Sequence, residues 1–99
     1  MEMNDFTLHR IEAMEAAFDR VSLAVRMLES ALDTYETAKV DIDRLTDYLE
    51  SGGWREDFEA DEAGLVPSGL KRGVLSEDGL YDLLADIVRV NAHLQELAE

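Results

Sequence analysis

Apolar residues recur every seven positions along the first half of the chain, where Asp5 to Ser51 contains no glycine and no proline. This spacing is typical of an amphipathic helix with a heptad repeat. It predicts a helix over residues 5–51, capped at its start by Asn4 or Asp5 and ended by Gly52 or Gly53. The a row is Met14, Val21, Leu28, Tyr35, Ile42 and Leu49; the d row is Ala17, Ala24, Ala31, Ala38 and Leu45; the e row adds Ile11, Phe18, Val25 and Leu32.

Four consecutive d positions in this helix are alanine. Small side chains allow two helix axes to approach more closely than the usual distance of about 8 to 10 Å. A tight antiparallel helix contact is therefore one interpretation of this row. The alternative is an ordinary core-facing stripe in a chain that is rich in alanine.

A second helix is predicted from Ser76 to about Ala98, with Leu80, Leu83, Ile87, Val90, Leu94 and Leu97 at its a and d positions. Ser76 is a favourable N-cap, and Glu77 and Asp78 place negative charge at the positive end of the helix dipole. Gly79 is a poor helix former in this first turn. It indicates that a backbone or a side chain approaches closely there.

The two predicted helices differ in length, at about 70 Å and about 35 Å. The short helix cannot cover the whole stripe of the long one, so either the long helix folds back or a second copy of the chain covers the remainder. Between residues 37 and 43, Thr37, Val40, Asp41, Ile42 and Asp43 have middling or poor helix propensity, and Asp41 could cap a new helix. We favour a break near residues 37–41 and a three-helix bundle, with a continuous helix in a dimer as the alternative.

The predicted fold class is thus all-α, a small helical bundle with coiled-coil-like packing. It forms one domain over residues 1–99, in which 5–51 is a helix or helix pair, 52–75 is a turn-rich acidic connector and 76–98 is the C-terminal helix. Ninety-nine residues suffice for one core, and an apolar content of 46% is typical of a folded chain.

Acidic residues outnumber basic residues by 23 to 9, which gives a formal net charge of −14. Direct binding to DNA or RNA requires a basic face, so we do not expect it. The acidity either keeps the protein soluble or imitates the phosphate surface of a nucleic acid toward a basic partner.

The chain contains no cysteine, its first six residues include acids and no base, and no apolar run approaches about 18 residues. We expect a cytoplasmic protein without a membrane segment and without disulfides.

The connector and its borders hold most of the candidate site residues. Its aromatic residues either plug the open end of the core or form an exposed contact for a partner. Lys71 and Arg72 are expected to pair with the acidic run. The candidate partner-binding or loop-organising residues are Trp54, Asp57, Phe58, Glu59, Asp61, Glu62, Lys71, Arg72 and Tyr81, and the candidate helix cap is Ser76, Glu77 and Asp78.

A calcium-binding loop beginning at Asp57 does not fit, because an EF-hand needs glycine at its sixth position and glutamate at its twelfth. Those positions hold Glu62 and Ser68. A divalent-cation site of another kind stays an alternative to a solvated acidic turn of helix ending at Gly64. The sequence shows no catalytic motif, and His9 and His93 lie in no recognisable one, so we predict no catalytic residue, no metal site and no cofactor.

The run from Tyr48 to Leu84, with WREDFEADEAG at its centre and GVLSEDGLY near its end, resembles the small bacterial family DUF4298, a domain of unknown function. The resemblance implies an intracellular helical protein of bacterial or phage-associated origin and no catalytic residues. We expect a non-enzymatic protein-interaction module that binds another protein or itself. The alternative is an acidic inhibitor or nucleic-acid mimic that occupies the basic groove of a DNA- or RNA-handling protein.

Overall fold

The computed structural model describes residues 4–99 and contains three α-helices. These are α1 (Asp5–Glu50), α2 (Gly53–Glu62) and α3 (Gly79–Ala98), with a 3-10 helix at Gly73–Leu75 between α2 and α3. No strand occurs among the described residues, so the predicted all-α class is confirmed. The chain divides into two compact units, the first ending at Lys39 and the second comprising Val40–Glu99.

The predicted break near residues 37–41 is wrong, because α1 is helical without interruption from Asp5 to Glu50. The three-helix bundle that the break would have produced is wrong for the same reason. Thr37 donates its hydroxyl hydrogen to the carbonyl of Asp33 at 3.0 Å, and Asp41 accepts from Arg44 at 3.3 Å along the helix instead of capping a new one. Weak propensities cost only tenths of a kcal/mol per residue, which does not interrupt a helix that lacks glycine and proline.

Both ends of α1 follow from local chemistry. The side-chain oxygen of Asn4 accepts a hydrogen bond from the backbone N–H of Thr7 at 2.8 Å, as an N-cap does. Gly52 lies in the left-handed region at φ +92°, where a residue without Cβ is favoured. This conformation ends α1 and leads directly into α2.

The segment 52–75, predicted as a turn-rich connector, in fact contains the ten-residue helix α2. Its end is a Schellman motif: Gly64, at φ +75°, donates to the carbonyl of Asp61, and Leu65 donates to that of Ala60, both at 3.0 Å. The acidic run 57–62 therefore lies on a helix that is terminated by Gly64, which is one of the two interpretations given for this run.

The core of the second unit is small and is formed by every helix that the unit contains. Trp54 of α2, Leu75 of the 3-10 helix and Leu80 of α3 are buried. The partly buried residues packed against them are Leu45, Tyr48, Leu49, Phe58 and Leu84. The last turns of α1 thus share one core with the start of α3.

Helix α3 begins at Gly79, three residues later than predicted, with Asp78 at the N-cap position. The Ser76 hydroxyl still serves this end, because it accepts from the N–H of Gly79 at 3.1 Å and donates to the carbonyl of Gly73 at 2.8 Å. A Cβ at Gly79 would collide with the Ser76 hydroxyl and would lie 2.9 Å from the Gly73 carbonyl oxygen. The predicted close approach at Gly79 is confirmed.

Replacing Gly79 with alanine should destabilise the second unit by about 1–3 kcal/mol, because the new methyl group overpacks this turn. The gain in helix propensity, at most about 1 kcal/mol, is too small to offset the collision. Urea unfolding followed by Trp54 fluorescence measures the difference. Gly69→Ala is the control, since nothing lies within 4 Å of a Cβ there; equal stability of the two variants would contradict the account.

Candidate functional site

The first unit exposes the apolar face of α1. No residue of this helix is buried, and the exposed fractions of Phe18, Val21 and Leu28 are 68%, 62% and 49%. We define the α1 stripe as the a, d and e residues from Ile11 to Ala38: Ile11, Met14, Ala17, Phe18, Val21, Ala24, Val25, Leu28, Ala31, Leu32, Tyr35 and Ala38. An exposed apolar surface of this extent is typical of an interaction site.

The acidic side chains between residues 10 and 39 lie outside the α1 stripe, while Arg10 on the d row and Lys39 on the e row border its two ends. Between residues 10 and 39, every acid occupies a b or f position of the heptad, outside the stripe, with the b row bordering the e row. These acids are Glu12, Glu15, Asp19, Glu29, Asp33 and Glu36. The stripe itself carries no charge, although the chain as a whole carries a formal −14. This segregation produces an exposed apolar face on a strongly acidic protein.

The predicted aromatic residues come together in the second unit, around Trp54. The Trp54 side chain is only 8% exposed and donates its indole N–H to the carbonyl of Val74 at 2.8 Å. Phe58 stacks on it at 5.0 Å between ring centroids, and Tyr81 meets it edge-on at 6.0 Å. Trp54 is therefore part of the core, in agreement with the interpretation that the aromatic residues close its open end. Tyr81 stays 53% exposed.

Tyr48 and Asp57 connect the end of α1 to α2. The Tyr48 hydroxyl donates to the Asp57 carboxylate at 2.6 Å. Burial, and next the negatively charged Asp57 that accepts this hydrogen bond, raise the pKa of Tyr48 to about 12. The phenol is thus neutral at neutral pH and is a poor base. The sequence alone assigned Tyr48 no role, because its partner became evident only when α2 positioned Asp57.

Arg72 and Asp61 form the ion pair that was expected between the basic dipeptide and the acidic run. Their side chains approach to 2.6 Å and are 36% and 21% exposed. A partly exposed pair of this kind stabilises by about 0–1 kcal/mol, so its main effect is to hold the loop before the 3-10 helix against α2. Lys71, Glu59 and Glu62 are exposed.

The cap residues lie at the turn before α3. Ser76 makes the two hydrogen bonds described above, and the carbonyl of Asp78 accepts from the N–H of Asp82 at 2.8 Å. Glu77 is exposed. All of these contacts organise the backbone locally.

A cleft of about 350 Å³ lies beside these contacts in the second unit. Its lining is mostly apolar, and its polar members include Tyr48 and Arg72, whose partners are given above. Within residues 4–99, no group of three or more acidic or histidine side chains is arranged to hold a metal ion. In the same range no helix is both long and apolar enough to cross a membrane.

The raised pKa of Tyr48 predicts a loss of stability at high pH. Because the folded-state pKa exceeds the ordinary value of about 10, the neutral phenol stabilises the fold fully below pH 10. This contribution is lost as the pH rises from 10 through 12. A pH titration of unfolding free energy should show a steeper decline for the wild type than for Tyr48→Phe, and the ultraviolet titration of the variant should lack one tyrosinate transition near pH 12. Identical titrations would contradict this assignment.

The chain was compared with protein families, curated proteins and solved structures. No curated protein and no solved structure matches it. Residues 11–96 match the model of the family described as a domain of unknown function, DUF4298, which covers the α1 stripe as well as nearly all of the second unit. The chain belongs to the DUF4298 family.

Proposed function

We propose that this protein is a non-enzymatic protein-interaction module and that the α1 stripe is its contact surface for a helix of another polypeptide chain. The observation that carries the proposal is the stripe itself: twelve apolar positions free of charge, most of them exposed, on a chain with a net charge of −14. Acidic proteins gain solubility from their charge, so a charge-free face is best explained by contact.

The energetics support a contact of this kind. The stripe contains eight bulky residues, four on the a row and four on the e row. Covering about half of each gives on the order of 6–12 kcal/mol, at about 1.5–3 kcal/mol for complete burial of one side chain. Association costs about 4–15 kcal/mol. The balance suits a reversible contact between helices.

The second unit supports a structural role for the residues once considered for function. Trp54, Phe58 and Leu75 share its core, and Asp57 and Asp61 hold Tyr48 and Arg72. These contacts give Trp54, Phe58, Asp57 and Asp61 a role within the fold. In the proposed function, the second unit folds around the last turns of α1.

A second candidate function is an acidic inhibitor that imitates nucleic acid and occupies a basic groove. The excess of 23 acids over 9 bases favours it, and so do the acid rows on the outer face of α1. This function would use the acidic b and f rows of α1. Its binding to the basic groove would weaken steeply as the salt concentration rises.

Affinity capture from the native host, with the tagged chain as bait, distinguishes the two functions. We expect Leu28→Glu, which places a charge in the stripe, to reduce capture at least tenfold. Ser30→Glu is the matched control, since it adds the same charge at an exposed position outside the stripe, and it should retain capture. Capture that survives Leu28→Glu but is lost by the double variant Glu15→Gln/Asp19→Asn and by added salt would overturn the interaction module in favour of mimicry.

A further inference from the structure

We propose that the occupant of the α1 stripe is a second copy of this chain, whose own stripe runs antiparallel to the first. The inference rests on the proposed function of the same face and identifies the partner. Three properties of the stripe support it: the placement of charge, the alternation of side-chain size and the composition of the flanking rows.

Charge placement permits two acidic copies to meet. Chains of formal charge −14 repel each other wherever their acids face. Between residues 10 and 39 the acids occupy only the b and f rows, so pairing through the a, d and e rows keeps both sets in solvent. A basic partner would find no acid within the stripe to pair with. The face therefore fits an apolar, uncharged surface, which an identical stripe supplies.

Side-chain size favours the antiparallel orientation. In an antiparallel pair, the a row of each helix faces the d row of the other, so each bulky a residue meets an alanine. In one register, each of the four bulky a residues meets one of the four alanines of the d row. The pairs are Met14 with Ala38, Val21 with Ala31, Leu28 with Ala24 and Tyr35 with Ala17 of the second copy. Layers that combine one large and one small side chain pack evenly.

A parallel pair would pack less well. It would set a against a and d against d, so that bulky layers alternate with layers of two alanines. The bulky layers would hold the helix axes apart, and the alanine layers would leave cavities, each of which reduces stability. The alanine row thus discriminates between the two orientations.

The flanking rows widen the antiparallel contact. In the same register, Phe18 lies opposite Leu32 of the second copy, and Val25 lies opposite Val25 of the second copy, on the e rows. On the other flank, Met27 faces its own equivalent near the two-fold axis. These positions are exposed in the single chain, at 48% for Val25 and 64% for Met27. The pair would bury them on both sides of the alanine seam.

Light scattering coupled to size exclusion tests the self-pairing. We expect the wild type to have twice the mass of the 11.1 kDa chain, and Ala24→Glu to shift the dissociation constant upward at least a hundredfold. Ser30→Glu should stay dimeric. Trp54 fluorescence verifies that each variant retains its second unit. A monomeric wild type, or a dimer equally weakened by Ser30→Glu and Ala24→Glu, would overturn the proposal.

Cysteine cross-linking tests the orientation, since the natural chain has no cysteine. A short bis-maleimide reagent should join two copies of the Met14→Cys/Ala38→Cys double variant and leave the single variant Met14→Cys largely uncoupled. Positions 14 and 38 of one helix are about 36 Å apart and cannot be bridged within a chain. Efficient coupling of the single variant would indicate parallel helices and overturn the antiparallel pairing.

The two proposals fail differently. If the wild type is monomeric while Leu28→Glu abolishes capture of a foreign protein, self-pairing is wrong and the interaction module stands. If neither self-association nor capture responds to charges placed in the stripe, both are wrong.

Discussion

A long amphipathic helix derives most of its stability from covering its apolar face. Helix α1 extends over 46 residues. Its last turns meet this requirement in the second unit, where Leu45, Tyr48 and Leu49 pack against the buried core. The stripe in the first unit carries the same heptad pattern but stays largely exposed. The proposed contact with a second helix rests on three features of this stripe: its bulky rows, its alanine row and the absence of acids from its positions.

The second unit shows how a small domain uses its few large side chains. Trp54 joins α2 to the 3-10 helix through its hydrogen bond to Val74, and it joins α2 to α3 through its contact with Tyr81. Around it, the contact between Tyr48 and Asp57 joins the end of α1 to α2, and the ion pair between Arg72 and Asp61 joins the loop before the 3-10 helix to α2. Trp54, Phe58, Asp57 and Asp61 therefore have contacts within the fold, and the candidate surface for function lies on α1.

Much of this could be predicted from the sequence, and the errors have physical causes. The heptad rows predicted α1, the capping chemistry indicated Asn4 and Ser76, and Gly79 indicated a close approach. The break near residues 37–41 was wrong because propensity differences of tenths of a kcal/mol were weighed too heavily against an uninterrupted heptad. Of α2, only an acidic turn of helix ending at Gly64 was predicted, because the glycines that border the segment suggested turns. The partner of Tyr48 could not be predicted, since it depends on how α2 presents Asp57.

Hydrogen exchange of backbone amides at a series of protein concentrations tests the central claim most directly. The account predicts that amides in residues 11–38 become more protected as the concentration rises, because the covered stripe stabilises the helix around it. Amides near Trp54, Leu75 and Leu80 should keep the same protection throughout, since their core lies within one chain. Protection in residues 11–38 that is high and independent of concentration would contradict the claim that a second helix covers the α1 stripe.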